Sequence, residues 1–309
     1  MKKKPEGLVK VGDTLPAITE KHGIPKLTPA LAKLVNEALA IEVDAAKEAD
    51  SLGFMARALV QATMPHSKPT ESTFERRNGA FTLTMMAPPK VGLPYGTVPR
   101  LILAWLTTEA VRTKSRELIL GDSLSGFMRD LGMVPTGGRW GSITRLREQS
   151  RRLFTSTISC LYEDQGRQAE EGFRLTDRHV LWWDPKRPEQ QDLFASIVTL
   201  SEPFYREVIE HPIPIDLRAL KVLSRSPLAL DMYAWLTYRM SYLRKETTVP
   251  WAALEAQFGS AYSETRFFKR FFLQQLRKVE AVYREAKVEP SDAGLILKPS
   301  PTHVKRICG

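Results

Sequence analysis

Apolar residues recur at helical spacing along much of the chain, and two stretches of that pattern match each other. Near the start, Thr28-Pro29 can cap and open a helix, because threonine accepts from free amides and proline's fixed φ suits the first turn. Leu31, Leu34, Val35, Ala38, Leu39 and Ala45 share one face of that helix, which ends near Ser51-Leu52-Gly53. A short helix is predicted over Met55 to Thr63. "FERRNGAFTLTMM" places Asn78-Gly79 between two β-prone runs, which predicts a hairpin. Pro88, Pro89, Gly92, Pro94 and Gly96 then read as a linker.

Beyond the linker the tetrad Ala-Trp-Leu-Thr occurs at 104–107 and again at 234–237. The first copy lies in an apolar helix over Arg100 to Arg112. An extended "ELILG", a cap at Ser123 and a stripe of Leu124, Phe127, Met128 and Leu131 follow, with Gly132 as the stop. The turn "MVPTGG" leads into "RWGSITRLREQSRRLF", then the β-prone "TSTISCLYE" and "FRLTDRHVLWWD". The second copy sits in "PLALDMYAWLTYRMSYL", followed by "TTV", a helix starting at Pro250, the stripe Trp251, Leu254 and Phe258, and Gly259 as the stop. "SAYS" leads into "ETRFFKRFFLQQLRKVEAVYREAK" and the extended "GLILKP". The tetrads lie 130 residues apart and the glycine stops 127 apart, so one module is duplicated.

Helix, short strand, short helix, turn, long basic helix and β-hairpin is the order of a winged helix, whose second helix of the helix-turn-helix enters the major groove. The predicted fold class is therefore α+β, predominantly helical, with two tandem winged-helix (helix-turn-helix) modules and an N-terminal arm. The expected division is an arm over residues 1–85, a first module over 86–190 and a second over 191–309. The arm, with its leucine-rich helix and several acids, is expected to serve self-association or partner contact.

Charge sharpens this picture. Apolar residues at 43% and charged residues at 26% are ordinary for a globular chain, but the net charge is +10 and the pI near 9.6, which favours a polyanionic partner. Residues 137–157 carry five arginines and one acid, and residues 263–287 carry seven basic residues and three acids. These segments hold +8 of the +10. Stepping ~100° per residue, Trp140, Ile143, Leu146, Leu153 and Phe154 fall on one side of the first long helix, and Phe268, Phe271, Phe272, Val279 and Val282 on one side of the second. The opposite faces give the expected DNA-contacting set: Arg139, Thr144, Arg145, Arg147, Arg151 and Arg152, then Arg266, Lys269, Arg270 and Arg277. Arginine suits this work because its planar fork can bond guanine O6 and N7 or clamp a phosphate. A solvated amphipathic face accounts for one such helix; its recurrence in both modules favours DNA.

No catalytic constellation, cofactor site or metal site is predicted, and the chain is expected not to be an enzyme. The histidines at 22, 66, 179, 211 and 303 never pair as H-x-H, "TGGRWGS" lacks the phosphate-loop lysine, and the acidic pairs Glu163-Asp164 and Glu170-Glu171 fall in what reads as a polar loop. Cys160 and Cys308 lie outside any C-x-x-C pattern. The apolar run from Leu101 to Leu106 is far shorter than the ~20 residues of a membrane span, and Pro5-Glu6-Gly7 interrupts a basic start that would otherwise resemble a signal peptide. A cytoplasmic protein without membrane contact is expected.

The stretch "GLPYGTVPRLILAWLTTEAVRTKSRELILGDSLSGFMRDLGMVPTGGRWGSITRLREQSRRLF", and less closely "LDMYAWLTYRM" onward, resembles the plasmid-encoded RepA replication initiators over about residues 85 to 300. That resemblance implies tandem winged helices on double-stranded origin DNA with direct repeats (iterons), origin opening, recruitment of the host initiator and replicative helicase as partners, and repression of the gene's own promoter by a homodimer. The alternative class is a transcriptional repressor using the same modules on an inverted operator, and a nuclease or primase is the third.

Overall fold

In the computed structural model, residues 51–164, 167–181, 186–189, 196–259 and 264–304 are described. The helix expected over Thr28 to Asp50, the pair Trp182-Trp183 and the turn "SAYS" lie outside them. Helices and strands are both prominent among the described residues, so the fold is mixed α and β, with less helical predominance than the sequence pattern suggested.

The chain enters through β1 (Leu52–Ala56), α1 (Arg57–Gln61), β2 (Thr73–Asn78) and β3 (Phe81–Met86). The short helix expected from Met55 begins only at Arg57, because Leu52–Ala56 pairs antiparallel with Pro212–Asp216. The predicted hairpin is present. Asn78 pairs with Phe81, so the turn is Gly79-Ala80, one residue later than expected, with Gly79 at φ +60°.

The first repeat follows as α2 (Thr97–Thr113), β4 (Glu117–Ile119), α3 (Leu124–Asp130), α4 (Ser142–Thr155), β5 (Thr157–Asp164) and β6 (Arg167–Arg174). Ser123 caps α3, accepting from the Gly126 amide at 3.1 Å. Leu124, Phe127, Met128 and Leu131 are all buried, and Gly132 ends the helix at φ +70°. The acids at 163–164 and 170–171 lie on β5 and β6, because the segments around them pair as a hairpin and not as a loop. β7 (Thr176–Val180), β8 (Ile197–Leu200), α5 (Glu202–Glu210), β9 (Pro212–Asp216) and α6 (Leu217–Leu223) bridge to the second repeat. That repeat is α7 (Pro227–Tyr242), β10 (Thr247–Pro250), α8 (Trp251–Phe258), α9 (Thr265–Val282), β11 (Lys287–Pro290) and β12 (Gly294–Lys298). Gly259 closes α8 at φ −60°, not in the left-handed region. Its constraint is space, since a Cβ there would lie 2.3 Å from the Glu255 carbonyl oxygen.

The duplication is visible in the packing. Trp105 of the first tetrad meets Phe127 edge-to-face with ring centroids 5.0 Å apart, and Trp235 of the second meets Phe258 the same way at 5.4 Å. Each tetrad thus pins the long helix to the short one that follows it. The sheets diverge, however. In the second repeat β10, β12 and β11 form a three-stranded sheet in that order. In the first, the hairpin β5–β6 joins β3 in a four-stranded sheet ordered β2-β3-β5-β6, and β4 pairs with β8. The hairpin β2–β3 covers the edge of β5, and its Leu83 and Met85 are fully buried.

A buried ionic clamp joins the halves. Arg100 of α2 donates from Nε and Nη2 to Asp231 of α7, both at 2.7 Å, and His66 Nε2 lies 2.7 Å from the same carboxylate. Arg100 also donates to the carbonyls of Gly96, Pro65 and Met64. Burial works against ionised Asp231, but Arg100 and the hydrogen bonds hold its carboxyl below the usual range; burial also holds His66 below its ordinary value. Arg76 of β2 reaches the Gly259 carbonyl, and Thr63 donates to the carbonyl of Gln257 at 3.2 Å. The segment before α2 is therefore tied to the second repeat as well as the first.

Candidate nucleic-acid interface

The turn before α4 is built from small and hydroxyl residues that bond one another. The Thr136 amide donates to Ser142 Oγ at 2.8 Å, the Ser142 amide donates back to Thr136 Oγ1 at 2.9 Å, and Ser142 Oγ donates to the Val134 carbonyl at 2.6 Å. Gly138 sits at φ +87°. Gly141 has an ordinary φ, but a Cβ there would stand 2.2 Å from the Thr136 carbonyl oxygen, so the turn closes only around a glycine. Such a turn fixes the direction from which α4 leaves the body.

On α4, Thr144, Arg145, Arg147 and Arg151 are exposed, with Thr144 Oγ1 donating to the Gly138 carbonyl at 2.9 Å. Arg139 is exposed too, but it belongs to the turn, its guanidinium 5.1 Å from the centre of the Trp140 ring. Trp140 was expected inside. It is 83% exposed, because the helix begins at Ser142 and the helical phase does not extend back to it. Arg152 is corrected in the other direction. The segment carrying Leu93 and Tyr95 covers its part of the helix, leaving it 9% exposed. It donates to Glu148 Oε1 at 2.7 Å and to the Leu93 carbonyl at 3.1 Å, and it lies over the Tyr95 ring. Arg152 is a packing residue and leaves the expected DNA-contacting set.

α9 repeats the arrangement. Its buried residues Phe272, Gln275, Leu276 and Val279 match Leu146, Gln149, Ser150 and Leu153 of α4 at a constant offset of 126 residues. In that register Arg270 falls on Thr144 and Arg277 on Arg151, and all four are exposed. Lys278 falls on Arg152 and, like it, is drawn inward, donating to Gln275 Oε1 at 2.8 Å, its pKa lowered by burial. Arg266 is exposed and paired with Glu264 at 2.8 Å. Lys269 is half-buried, its ammonium 4.8 Å from the centre of the Trp251 ring, which ties it to α8. Phe271, expected inside, is 39% exposed, because the apolar face is narrower than the count of phenylalanines suggests.

Among the described residues no group of three His, Cys, Asp or Glu side chains could hold a metal ion, and no helix is long and apolar enough to cross a membrane. His179 packs against Phe154, His303 contacts Tyr233, and His66 belongs to the clamp.

The fold defines a repeated α+β protein in which two long helices carry exposed arginines. The family described as plasmid encoded RepA protein matches residues 93–252. The chain belongs to this family and is a RepA-type replication initiator. Among solved structures, a crystal structure of selenomethionine derivatives of domain 2 and domain 3 of RctB resembles it with a TM-score of 0.51 at 12% identity, over 78% of this chain and 98% of that one. A second crystal structure of RctB domains 2-3 matches with a TM-score of 0.48 at 12% identity, over 78% and 96%. No curated protein matches the chain by sequence.

Proposed function

We propose that this initiator binds double-stranded origin DNA sequence-specifically through two winged-helix modules, with α4 and α9 each entering a major groove. The supporting observation is the common register of the two helices: Leu146, Gln149, Ser150 and Leu153 are buried as are Phe272, Gln275, Leu276 and Val279, and the exposed Arg151 falls on the exposed Arg277, with Thr144 on Arg270. The connectivity α7, β10, α8, α9, β11, β12 with strand order β10-β12-β11 supports the winged-helix reading of the second module. In the first, the hairpin β5–β6 takes the place of the wing. The protein has no catalytic step of its own; it acts by binding direct repeats, opening the origin, and bringing in the host initiator and helicase.

Footprinting on the DNA flanking the gene tests this. Protection of a row of direct repeats, weakened by Arg145→Ala with Arg151→Ala, is expected. Protection of one palindrome would make the chain a repressor, and unchanged affinity in the double variant would remove α4 from the interface.

A further inference from the structure

Scattered exposed apolar side chains carry no meaning by themselves, but half of those found here recur at one place in the repeat. Among the described residues eight large hydrophobics face solvent, and four of them, Val134, Trp140, Phe267 and Phe271, lie in the turn before α4 or in the first two turns of α9. Trp140 is 83% exposed and Phe267 37%. Trp140 and Phe267 each follow an arginine that stacks on the ring: Arg139 lies 5.1 Å from the Trp140 ring centre and Arg266 4.8 Å from that of Phe267, with Arg270 at 5.9 Å from the latter. The dipeptides Arg139-Trp140 and Arg266-Phe267 lie 127 residues apart, the offset of Gly132 and Gly259 and within one residue of the offset between the buried faces. The duplicated module thus keeps an arginine-stacked aromatic at the leading end of each basic helix.

We infer that Trp140 and Phe267 are specificity-determining residues that read thymine in double-stranded DNA through its 5-methyl group. This rests on the proposed docking of α4 and α9 in the major groove. In a stacked duplex the base faces are closed, and the apolar group that a base pair offers in the major groove is the thymine methyl. The arginine covering one ring face holds the aromatic outward, and Arg139 beside Trp140 and Arg270 beside Phe267 supply cations for the phosphates, Arg266 being paired with Glu264. The ring is left to meet a small apolar group.

The test uses the full chain and a duplex carrying the footprinted site, with thymines replaced one at a time by deoxyuridine, which lacks only the methyl. At the contacted thymine the parent protein should bind about fourfold more weakly, the worth of one buried methyl. Trp140→Ala should bind the thymine duplex about fourfold more weakly and no longer distinguish uracil at that position, with Trp140→Phe retaining discrimination; Phe267→Ala should behave likewise at a second position. Thymine-to-uracil ratios unchanged from the parent in both alanine variants overturn the inference. So does a loss confined to single-stranded DNA, which would make the rings base-stacking platforms. Arg145→Ala with Arg151→Ala is the control: if it weakens binding while the ratios of Trp140→Ala and Phe267→Ala stay at the parent's values, only this inference falls, and if it does not weaken binding, the docking of α4 falls with it.

Discussion

Replacing Asp231 by alanine strips a buried guanidinium of its counter-charge at the place where the two repeats meet. Arg100 makes five hydrogen bonds, two to Asp231 and three to backbone carbonyls, with its side chain 2% exposed. In Asp231→Ala the carbonyls remain but the charge is unpaired, and breaking one partner of a buried pair costs about 3–5 kcal/mol. Against a total stability of about 5–15 kcal/mol, that is about a fifth or more. With a urea slope near 2–3 kcal/mol per molar, the unfolding midpoint should fall by about 1–2 M, followed by tryptophan fluorescence. Removing both charges, as Arg100→Met with Asp231→Leu, should recover part of the loss, because the orphaned charge is gone while the carbonyls of Gly96, Pro65 and Met64 lose the Arg100 donor. A fall of less than about 1 kcal/mol in Asp231→Ala, or a double variant as unstable as the sum of the singles, would refute this account.

Arg152→Ala should destabilise the fold by about 2 kcal/mol through its lost bonds to Glu148 and Leu93, measured by thermal melting, while leaving the salt dependence of DNA binding unchanged. Gly141→Ala should lower the melting temperature and DNA affinity together, because the turn must open to admit a Cβ; circular dichroism and gel shift read the two effects. His66, His179 and His303 are all held by burial below the ordinary 6.5, so the unfolded chain binds more protons and stability should fall as pH drops below about 6.5. Urea midpoints at pH 7.5 and 5.5 measure this, His66→Gln should shallow the slope, and a flat profile would contradict it.

Local pattern carried the elements of the two repeats well. Ser123, the stripe from Leu124 to Leu131 and Gly132 predicted α3 because capping, periodicity and a left-handed stop are all local signals. What the sequence hid was set by distant partners. Leu52–Ala56 is a strand because residues 156 to 164 positions away pair with it, and Arg152 is inside because the linker folds over a face that the helical wheel marks as open. Trp140 shows the converse: apolar character pointed inward, but the turn ends the helix before reaching it. The basic stripes were legible, while the arginine–aromatic stacking was not, since side-chain contact at a helix start is no part of a periodicity.

The pairing of β1 with β9 also has a consequence in time. During synthesis at about 5–20 residues per second, Leu52–Ala56 leaves the ribosome roughly ten to thirty seconds before Pro212–Asp216 is made. Arg76 waits longer still for Gly259. Throughout that interval the nascent chain carries an unpaired strand edge and uncovered apolar side chains, the features that invite association with other chains. A prematurely terminated product ending anywhere before β9 would keep them permanently exposed, so truncated copies should aggregate instead of persisting as small, competing binders of the same DNA.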